Sequence, residues 1–596
     1  MPNLKDCVNH EDFEPTVEPK MKKFKSNLRQ VRPPTPAKEF HVQSIPADKP
    51  IDPVIMSAMQ RYCSGNTIKS VTRDYRRSIM SSEKLIEDVL RMDVPPFSIV
   101  KDEVLDWAVR KADELMFPGN PRFKPVHFCD LRHYPWKWNV SVCQPYMEDD
   151  ELMKRMKRAQ AEGYEGYENG RMTFGALKNV VFNDCRTKIH QIKEGYNHCH
   201  NNGTFYYEIM AFGRAYLVET DAEDKIRFVY GVPRQLLLAE AMFLWPLMDF
   251  WKQSPYNHVL AWNFEILDGG YHKLENEWTR SQSCTVLCFD WKKFDKYVHF
   301  DLIDIVHGLW KSHIDFDKGY VPSHDYPQSQ PQTDEFRKHQ AERLERLYYW
   351  MCNGVKHSPI RTPDGASYVR QFSGVPSGVL QTQILDSFCN LIVILTCLKA
   401  IGIELTENDL IRVMGDDSLI RLTMFFDQYT GNDYTNRFIR EAKIRFNFQV
   451  NKDKSWHGWS ILGAPFLGFV NNHGDPTKGK IELLCRLAFP ERADSWENIA
   501  ARSIGIAWAS AGQDEEVYQV CKDVHDFIVH KRHLKPRFTE IEKFELLGLD
   551  ITQMQQFPTL PQIRAKHRPI NDWWKDNSQY MPTDVFIEDG LTWRKL

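Results

Sequence analysis

Apolar and polar positions along this chain switch between two periods, and the sharpest strand-like pattern runs from Ile411 to Leu422. Two β-favouring runs there flank Gly415-Asp416-Asp417, which predicts a tight hairpin with two carboxylates at its tip. The run from Thr285 to Asp290 predicts a buried strand that ends on a carboxylate, with Asp295 following where the chain should turn into a helix. Pro363-Asp364-Gly365 predicts a turn into Tyr368–Phe372, and Leu462–Phe469 reads as a further hairpin. Helical spacing appears at Glu335–Cys352, with Leu344, Leu347, Tyr348 and Met351 on one face, and at Phe438–Phe448. The longest apolar stretches, Leu236–Phe250 and Phe388–Ile403, are interrupted by Glu240, Asn390 and Lys399 and fall short of the roughly 20 residues that span a bilayer. They predict buried helices. Beyond Gly474 the pattern is mainly helical, with a basic run His530-Lys531-Arg532-His533 and tryptophans at 573, 574 and 593.

Four places carry candidate chemistry. Adjacent carboxylates repel, so Asp416 and Asp417 at one rigid turn suit a hard divalent cation, although a solvated Asp-rich hairpin has the same composition. Asp290 and Asp295 can face the same cavity. Lys225 and Arg227 lie two apart on a strand and therefore share a face, where they could grip a triphosphate; an exposed edge also favours cations. In Ser373–Thr382 the glycines on either side of Pro376-Ser377 make a mobile loop, and Ser377 can cap the helix that follows. Within that helix Thr382, Asp386 and Asn390 recur every four residues as a polar stripe, which suits a ribose or an internal hydrogen-bond network.

Residues 55–283 are mixed α/β in pattern. Their aromatics Trp107, Trp136, Trp138, Tyr146, Phe205 and Tyr206 alternate with Arg73, Arg76, Arg77, Arg122 and Lys124, as in a single-strand channel, though core packing explains most of the rings. Cys185, His190, His198, Cys199 and His200 have the types of metal ligands but no standard zinc spacing.

At 596 residues the chain is several times a domain of about 100–150 residues and can bury a large core. Its net charge of −3 means that nucleic-acid binding must come from a local basic surface. The 13 cysteines show no paired spacing, which fits a reducing compartment, and the first residues have no apolar core of a secretory signal. Residues 1–55 carry Lys20, Lys22, Lys23, Lys25, Arg29 and Arg32 before Pro33-Pro34-Thr35-Pro36, which predicts an extended arm. Such an arm is either solvated or clipped onto the fold, RNA or a partner.

Taken in order, Lys225/Arg227, Asp290-x4-Asp295, Ser377-Gly378-x3-Thr382 and Gly415-Asp416-Asp417, with Lys454 and Phe466-Leu467-Gly468-Phe469 behind them, resemble the motif set of viral RNA-dependent RNA polymerases. Gly-Val-Pro-Ser-Gly-x3-Thr-Gln-x2-Asp-Ser-x2-Asn with Met-Gly-Asp-Asp-Ser resembles the partitiviruses, double-stranded RNA viruses of plants and fungi; picobirnavirus polymerases are the nearest alternative. The resemblance covers about residues 225–470.

It implies an α+β fold, a closed right hand whose palm is built on an antiparallel sheet. The implied division is an arm at 1–55, fingers and fingertips at 56–283, palm at 284–300 and 373–475, a fingers insertion at 301–372, and a thumb with the C-terminal region at 476–596. Asp290 and Asp416, with Asp417 assisting, would hold two Mg²⁺ ions about 3.5–4 Å apart, Mn²⁺ being a possible substitute. Lys225 and Arg227 would bind the triphosphate. Asp295, with Thr382 and Asn390, would recognise the 2′-hydroxyl, and the loop carrying Ser377 and Gly378 would shift as nucleotide binds. Lys454 would be the general acid for pyrophosphate, with Lys452 the alternative. Many positive-strand relatives carry Asn at the place of Asp386, which leaves open whether Asp386 touches the ribose or orients Asp295 and Thr382.

The implied partners are RNA template and product, nucleoside triphosphates and a capsid protein, with no membrane, for a monomeric polymerase inside a virion in the host cytoplasm. A reverse transcriptase would be expected to carry Tyr-x-Asp-Asp and a bulky ribose-excluding side chain. A silent RNA-binding scaffold would not need every carboxylate, and a two-metal nuclease leaves Ser377, Thr382 and Asn390 without a purpose.

Overall fold

A strand whose alternate side chains are both apolar needs a core on each side, and the centre of this molecule is built that way. The structure is a computed structural model that describes residues 25–35, 50–164, 172–196, 206–253, 259–278, 284–327, 333–491, 494–538, 555–568 and 581–587. The strands used below are, in chain order, β1 (Leu28–Arg32), β2 (Ile209–Ala215), β3 (Ile226–Gly231), β4 (Thr285–Cys288), β5 (Ile360–Arg361), β6 (Ser367–Arg370), β7 (Leu410–Met414), β8 (Asp417–Leu422) and β9 (Trp456–Gly458). The helices are α1 (Ser82–Leu90), α2 (Glu103–Met116), α3 (Arg234–Gln253), α4 (Asp334–His357), α5 (Thr382–Ala400) and α6 (Gln428–Phe446).

The fold is mixed α/β. Strands β9-β4-β8-β7 form an antiparallel sheet in that order, with Ile420 opposite Leu287 and Asp417 opposite Met414. Every side chain of β4 is buried. Leu287, Ile420 and Leu422 enter one core with α2, α3 and α5, while Val286, Cys288 and Leu419 enter a second core with the C-terminal helices. The sheet is thus a wall between two cores, which explains why β4 reads as an uninterrupted apolar run.

A second sheet runs β1-β6-β5-β2-β3, antiparallel except between β5 and β2. Its far edge strand β1 lies in the expected arm. Leu28–Arg32 is clipped onto β6, and Arg32 also reaches Glu208 at 2.6 Å. Lys20, Lys22, Lys23 and Pro36 lie outside the described residues.

Both long apolar stretches are buried helices. Leu236–Phe250 falls in α3. Helix α5 is the one described helix long and apolar enough to cross a membrane, and 83% of its most apolar window is buried against the rest of the protein. Helix α4 begins at a Thr333 cap whose hydroxyl accepts from Phe336 N, and α6 runs from an Asp427 cap to Asn447, whose φ of +57° ends it. Pro465–Phe466 and Phe469–Asn472 form the expected hairpin, with positive φ at both turn residues, Leu467 and Gly468. Helices at Lys480–Ala488, Trp496–Ala509, Glu515–Asp526 and Leu560–His567 follow.

Three readings of the 55–283 region and the tail need correction or lie out of reach. Trp136, Tyr146 and Tyr206 are buried core residues, and Arg76 and Arg122 pair with Asp224 and Asp315, so these groups do not line an open channel. Cys185 is buried, with its sulfur 3.3 Å from the Tyr146 hydroxyl. His198, Cys199, His200, Phe205, Trp573, Trp574 and Trp593 lie outside the described residues.

Candidate active site

The β7–β8 hairpin sets the site. Gly415 and Asp416 are its two-residue turn, and Asp417 is the first residue of β8, so only one of the paired acids sits at the tip. Gly415 has φ +64°, and a Cβ there would stand 2.8 Å from the Gln383 amide nitrogen. The turn is pinned from below by α5: Ser387 Oγ accepts from Gly415 N at 2.8 Å, and Asn390 Nδ2 donates to the carbonyls of Gly415 and Asp416, each at 3.0 Å. Asn390 Oδ1 accepts from the Trp291 indole at 2.9 Å. Its donor and acceptor atoms are thus occupied, and the residue is fully buried. Asn390, expected at the ribose, supports the turn from beneath.

Asp290 follows β4, and its backbone is gripped by the turn before β9. Asn451 N donates to Asp290 O at 2.7 Å, and Asp290 N donates to Ser455 Oγ at 3.1 Å. Asp416 and Asp417 are exposed at the surface yet hemmed in by protein. Burial and the charge of Asp290 raise the Asp416 carboxyl above the usual range. Burial, then Asp416 and Asp290, push Asp417 up to about 7. Three acids, with the charge of Asp290 acting on both Asp416 and Asp417, form a hard oxygen-donor set suited to a divalent cation such as Mg²⁺. The tightest metal-ligand cluster among the described residues is elsewhere: His525, Asp526 and His530, with Asp526 paired to Lys522 at 2.6 Å.

Asp295 sits in the short helix Phe294–Tyr297. Burial raises its pKa, Lys296 and Arg227 oppose that rise, and Asp416 and Asp88 add to it. Asp386 on α5 is buried with Oδ1 unpartnered, and burial, then the charges of Asp295 and Asp416, push its pKa well up. Its surroundings thus favour the protonated form. The next residue after Asp295, Lys296, is locked into a buried pair with Asp88 at 2.8 Å, while Asp88 Oδ2 accepts from Phe228 N.

The cations face the acids. Lys225 and Arg227 are both exposed, with Ile226 buried between them, as period-two geometry requires. Their charged groups lie 5.5 and 5.2 Å from the centroid of the Tyr216 ring. Burial and the charges of Arg227 and Lys454 lower the Lys225 pKa, against the pull of Asp290. Lys454 thus belongs to this cluster. Lys452 points the other way, its Nζ 3.2 Å from Asn436 Oδ1 on α6.

The loop Ser373–Gly378 closes the remaining side. Val375 N donates to Asp295 O at 2.8 Å, and the Thr382 hydroxyl reaches the carbonyls of Pro376 and Val379 at 2.8 and 2.9 Å. Thr382 therefore ties down its own loop. A Cβ on Gly378 would meet the Tyr230 carbonyl oxygen at 2.4 Å, so only glycine lets this loop lie on β3. Ser377 is exposed and does not cap α5, which starts five residues later behind Gln381 without a side-chain cap.

Sequence reasoning missed Ser387, which accepts from Gly415 N in the turn, Ser455, which accepts from Asp290 N, and the buried Asp88–Lys296 pair next to Asp295. Ser387 had a signal: with Gln383 and Asn390 it forms an i, i+4, i+7 stripe one position round the helix from Thr382 and Asp386.

Residues 98–524 match the family model of viral RNA-dependent RNA polymerase. A protein named RNA-directed RNA polymerase from White clover cryptic virus 1 (isolate Boccardo/2004) is 29% identical over 569 residues, covering 89% of this chain and 91% of its own length. One of the same name from Atkinsonella hypoxylon virus (isolate 2H) is 27% identical over 503 residues, covering 75% and 72%.

Proposed function

Because the chain belongs to the viral RNA-dependent RNA polymerase family, and is an RNA-directed RNA polymerase and nucleotidyltransferase, we propose that it transcribes and replicates a double-stranded RNA genome by two-metal nucleotidyl transfer. The observation that carries this reading is that Asp290, Asp295, Asp416 and Asp417 lie within charge reach of one another and of Lys225, Arg227 and Lys454 in one cluster.

In this reading Asp290, Asp416 and Asp417 hold two Mg²⁺ ions, and Mn²⁺ can replace them. Bound metal neutralises charge on the attacking and leaving oxygens of phosphoryl transfer. Lys225 and Arg227 bind the triphosphate, and Arg227 also offsets the charge of Asp416. Asp295 takes the ribose 2′-hydroxyl, with Asp386 behind it as an orienting residue, while Thr382, Ser377 and Gly378 shape the loop that closes over the nucleotide. Lys454 gives a proton to pyrophosphate, because its charge reaches Lys225 whereas Lys452 is engaged on α6.

The antiparallel sheet serves as the palm of a right hand, 284–300 and 373–475. Residues 56–283 and 301–372 serve as fingers, and 476–596 as the thumb. We further propose that the enzyme is a monomer that works within a virion in the host cytoplasm, alongside capsid protein.

The test is labelled-nucleotide incorporation on single-stranded RNA with Mg²⁺, comparing wild type with Asp416→Asn and following RNA binding in parallel. Activity that vanishes in the variant while binding persists is the expected result. Equal incorporation by both proteins would overturn the assignment of Asp416.

A further inference from the structure

The loop that lies against Asp295 is held by a residue from the far end of the chain. Asn27, just before β1, is fully buried. Its Oδ1 accepts from three successive amides, Gln371 N at 3.3 Å, Phe372 N at 3.1 Å and Ser373 N at 3.0 Å. Its Nδ2 donates to Met92 O at 2.8 Å and to Ser373 O at 3.1 Å, 346 residues away in sequence. A side-chain amide with five partners leaves the chain little freedom around it.

Those partners are the hinge of the loop. Directly after Ser373, Gly374 has φ +109°, its N donates to Val298 O at 2.9 Å, and Val375 N donates to Asp295 O. Met92 packs on the same turn: a Cβ on Gly374 would stand 2.7 Å from the Met92 methyl. The Met92 sulfur lies 3.2 Å from the Tyr230 hydroxyl, on the strand against which Gly378 rests. Asn27 therefore joins three things in one polar knot: the clipped N-terminal strand, the turn after α1, and the start of the loop.

We propose that Asn27 is a positioning residue for nucleotide selection, through which the N-terminal strand straps the Ser373–Gly378 loop in register with Asp295. The proposal rests on the reading of Asp295 as the ribose contact. Without the knot, Ser373 and Gly374 are free to shift, and the Val375 to Asp295 bond that fixes the acid's backbone is lost. Such a change acts on how well a ribonucleotide is held and told from a deoxyribonucleotide, and leaves the metal-binding carboxylates in place.

The experiment uses the full chain and compares wild type, Asn27→Ala, Asp93→Ala and Arg32→Ala. Asp93 Oδ1 accepts from Leu28 N at 2.8 Å, one residue after Asn27 and at the surface, so its loss loosens the knot with little threat to folding. Arg32 ties the far end of β1 to Gly365, Glu208 and Ser367 and does not touch the knot. Steady-state incorporation gives kcat, KM and the preference for ribo- over deoxyribonucleotides, and hydrogen exchange gives the opening of the Ser373–Val375 amides. Asn27→Ala is expected to raise the nucleotide KM about tenfold and lower ribose preference by a similar factor, with kcat within about twofold, while those amides exchange faster. Asp93→Ala is expected to move each quantity the same way by about threefold. Arg32→Ala is expected to lower thermal stability without changing ribose preference.

Folded Asn27→Ala with wild-type KM and ribose preference would overturn the proposal. So would wild-type preference and amide exchange in Asp93→Ala if Asn27→Ala does not fold. Wild-type protein that fails to discriminate sugars at all, or that keeps discriminating in Asp295→Ala, marks failure of the Asp295 reading instead.

Discussion

Single residues at this site are governed by what surrounds them. Asp416 and Asp417 are adjacent in sequence, yet one forms the turn and the other starts a strand; burial raises both carboxyls, and burial with the charges of Asp416 and Asp290 lifts Asp417 to about 7. That lift has a sign that can be followed. A carboxyl must lose its proton to bind a cation, so metal competes with protons below its pKa and wins readily above it. At pH 6 Asp417 is mostly protonated in the metal-free protein, and at pH 8 mostly ionised. Mg²⁺ binding is therefore expected to tighten from pH 6 to pH 8, and to release close to one proton at pH 6 but only a small fraction of one at pH 8. Calorimetry in two buffers of different ionisation enthalpy reads the proton count directly, and an equal release at both pH values would contradict it. The identities of these acids were legible in the sequence. Their raised pKa values were not, because these depend first on burial and then on the charge of Asp290, which comes from a distant stretch of chain just after β4.

At the scale of elements, patterns carried by neighbours in sequence were readable and patterns set by distant partners were not. The hairpin at 415–416, the turn at 363–365 and the helices over 335–352 and 438–448 follow from local turn chemistry and spacing, and the structure contains them. Ser377 shows the limit. A serine ahead of an apolar run suggests a cap, but Gly378 is pressed against Tyr230 and the helix starts later. The polar stripe of α5 was likewise visible, while its division was not: Thr382 serves the loop, Asp386 faces the acids, and Asn390 supports the turn. The turn at 451–455 gives the sharpest case, since Lys452 and Lys454 are equivalent by spacing. In the fold, Lys452 lies on Asn436 and Lys454 acts on Lys225, within a turn that also grips Asp290. Lys454→Ala is expected to lower the rate of incorporation by about 10²-fold or more, the usual worth of a positioned general acid. Lys452→Ala should stay within about threefold. Single-turnover kinetics on both variants check this, and equal losses would remove the distinction.

At the scale of the whole molecule, the feature no local pattern could reveal is the sheet that divides two cores. An apolar run such as β4 announces burial on both faces, yet nothing in it says that residues 483–528 cover one face and residues 237–251 lie in the core on the other. The β1–β6 pairing is equally non-local, which is why the segment before residue 35 reads as an arm. The shared wall has a mechanical consequence. Leu287 and Val286 are neighbours on one strand but belong to different cores, so loss of either core removes the support of β4 and β8 and, with them, Asp290 and Asp417. The two cores are therefore expected to unfold together. Leu391→Ala in one and Leu487→Ala in the other, both fully buried, should each cost about 2–5 kcal/mol. Each should lower the midpoint of the same single calorimetric transition, and saturating Mg²⁺ should raise that midpoint in both variants, because on the proposed reading the cation would bind the folded wall and not the unfolded chain. Two separable transitions, each moved by only one of the substitutions, would mean that the cores are held by independent supports and that the acids depend on only one of them.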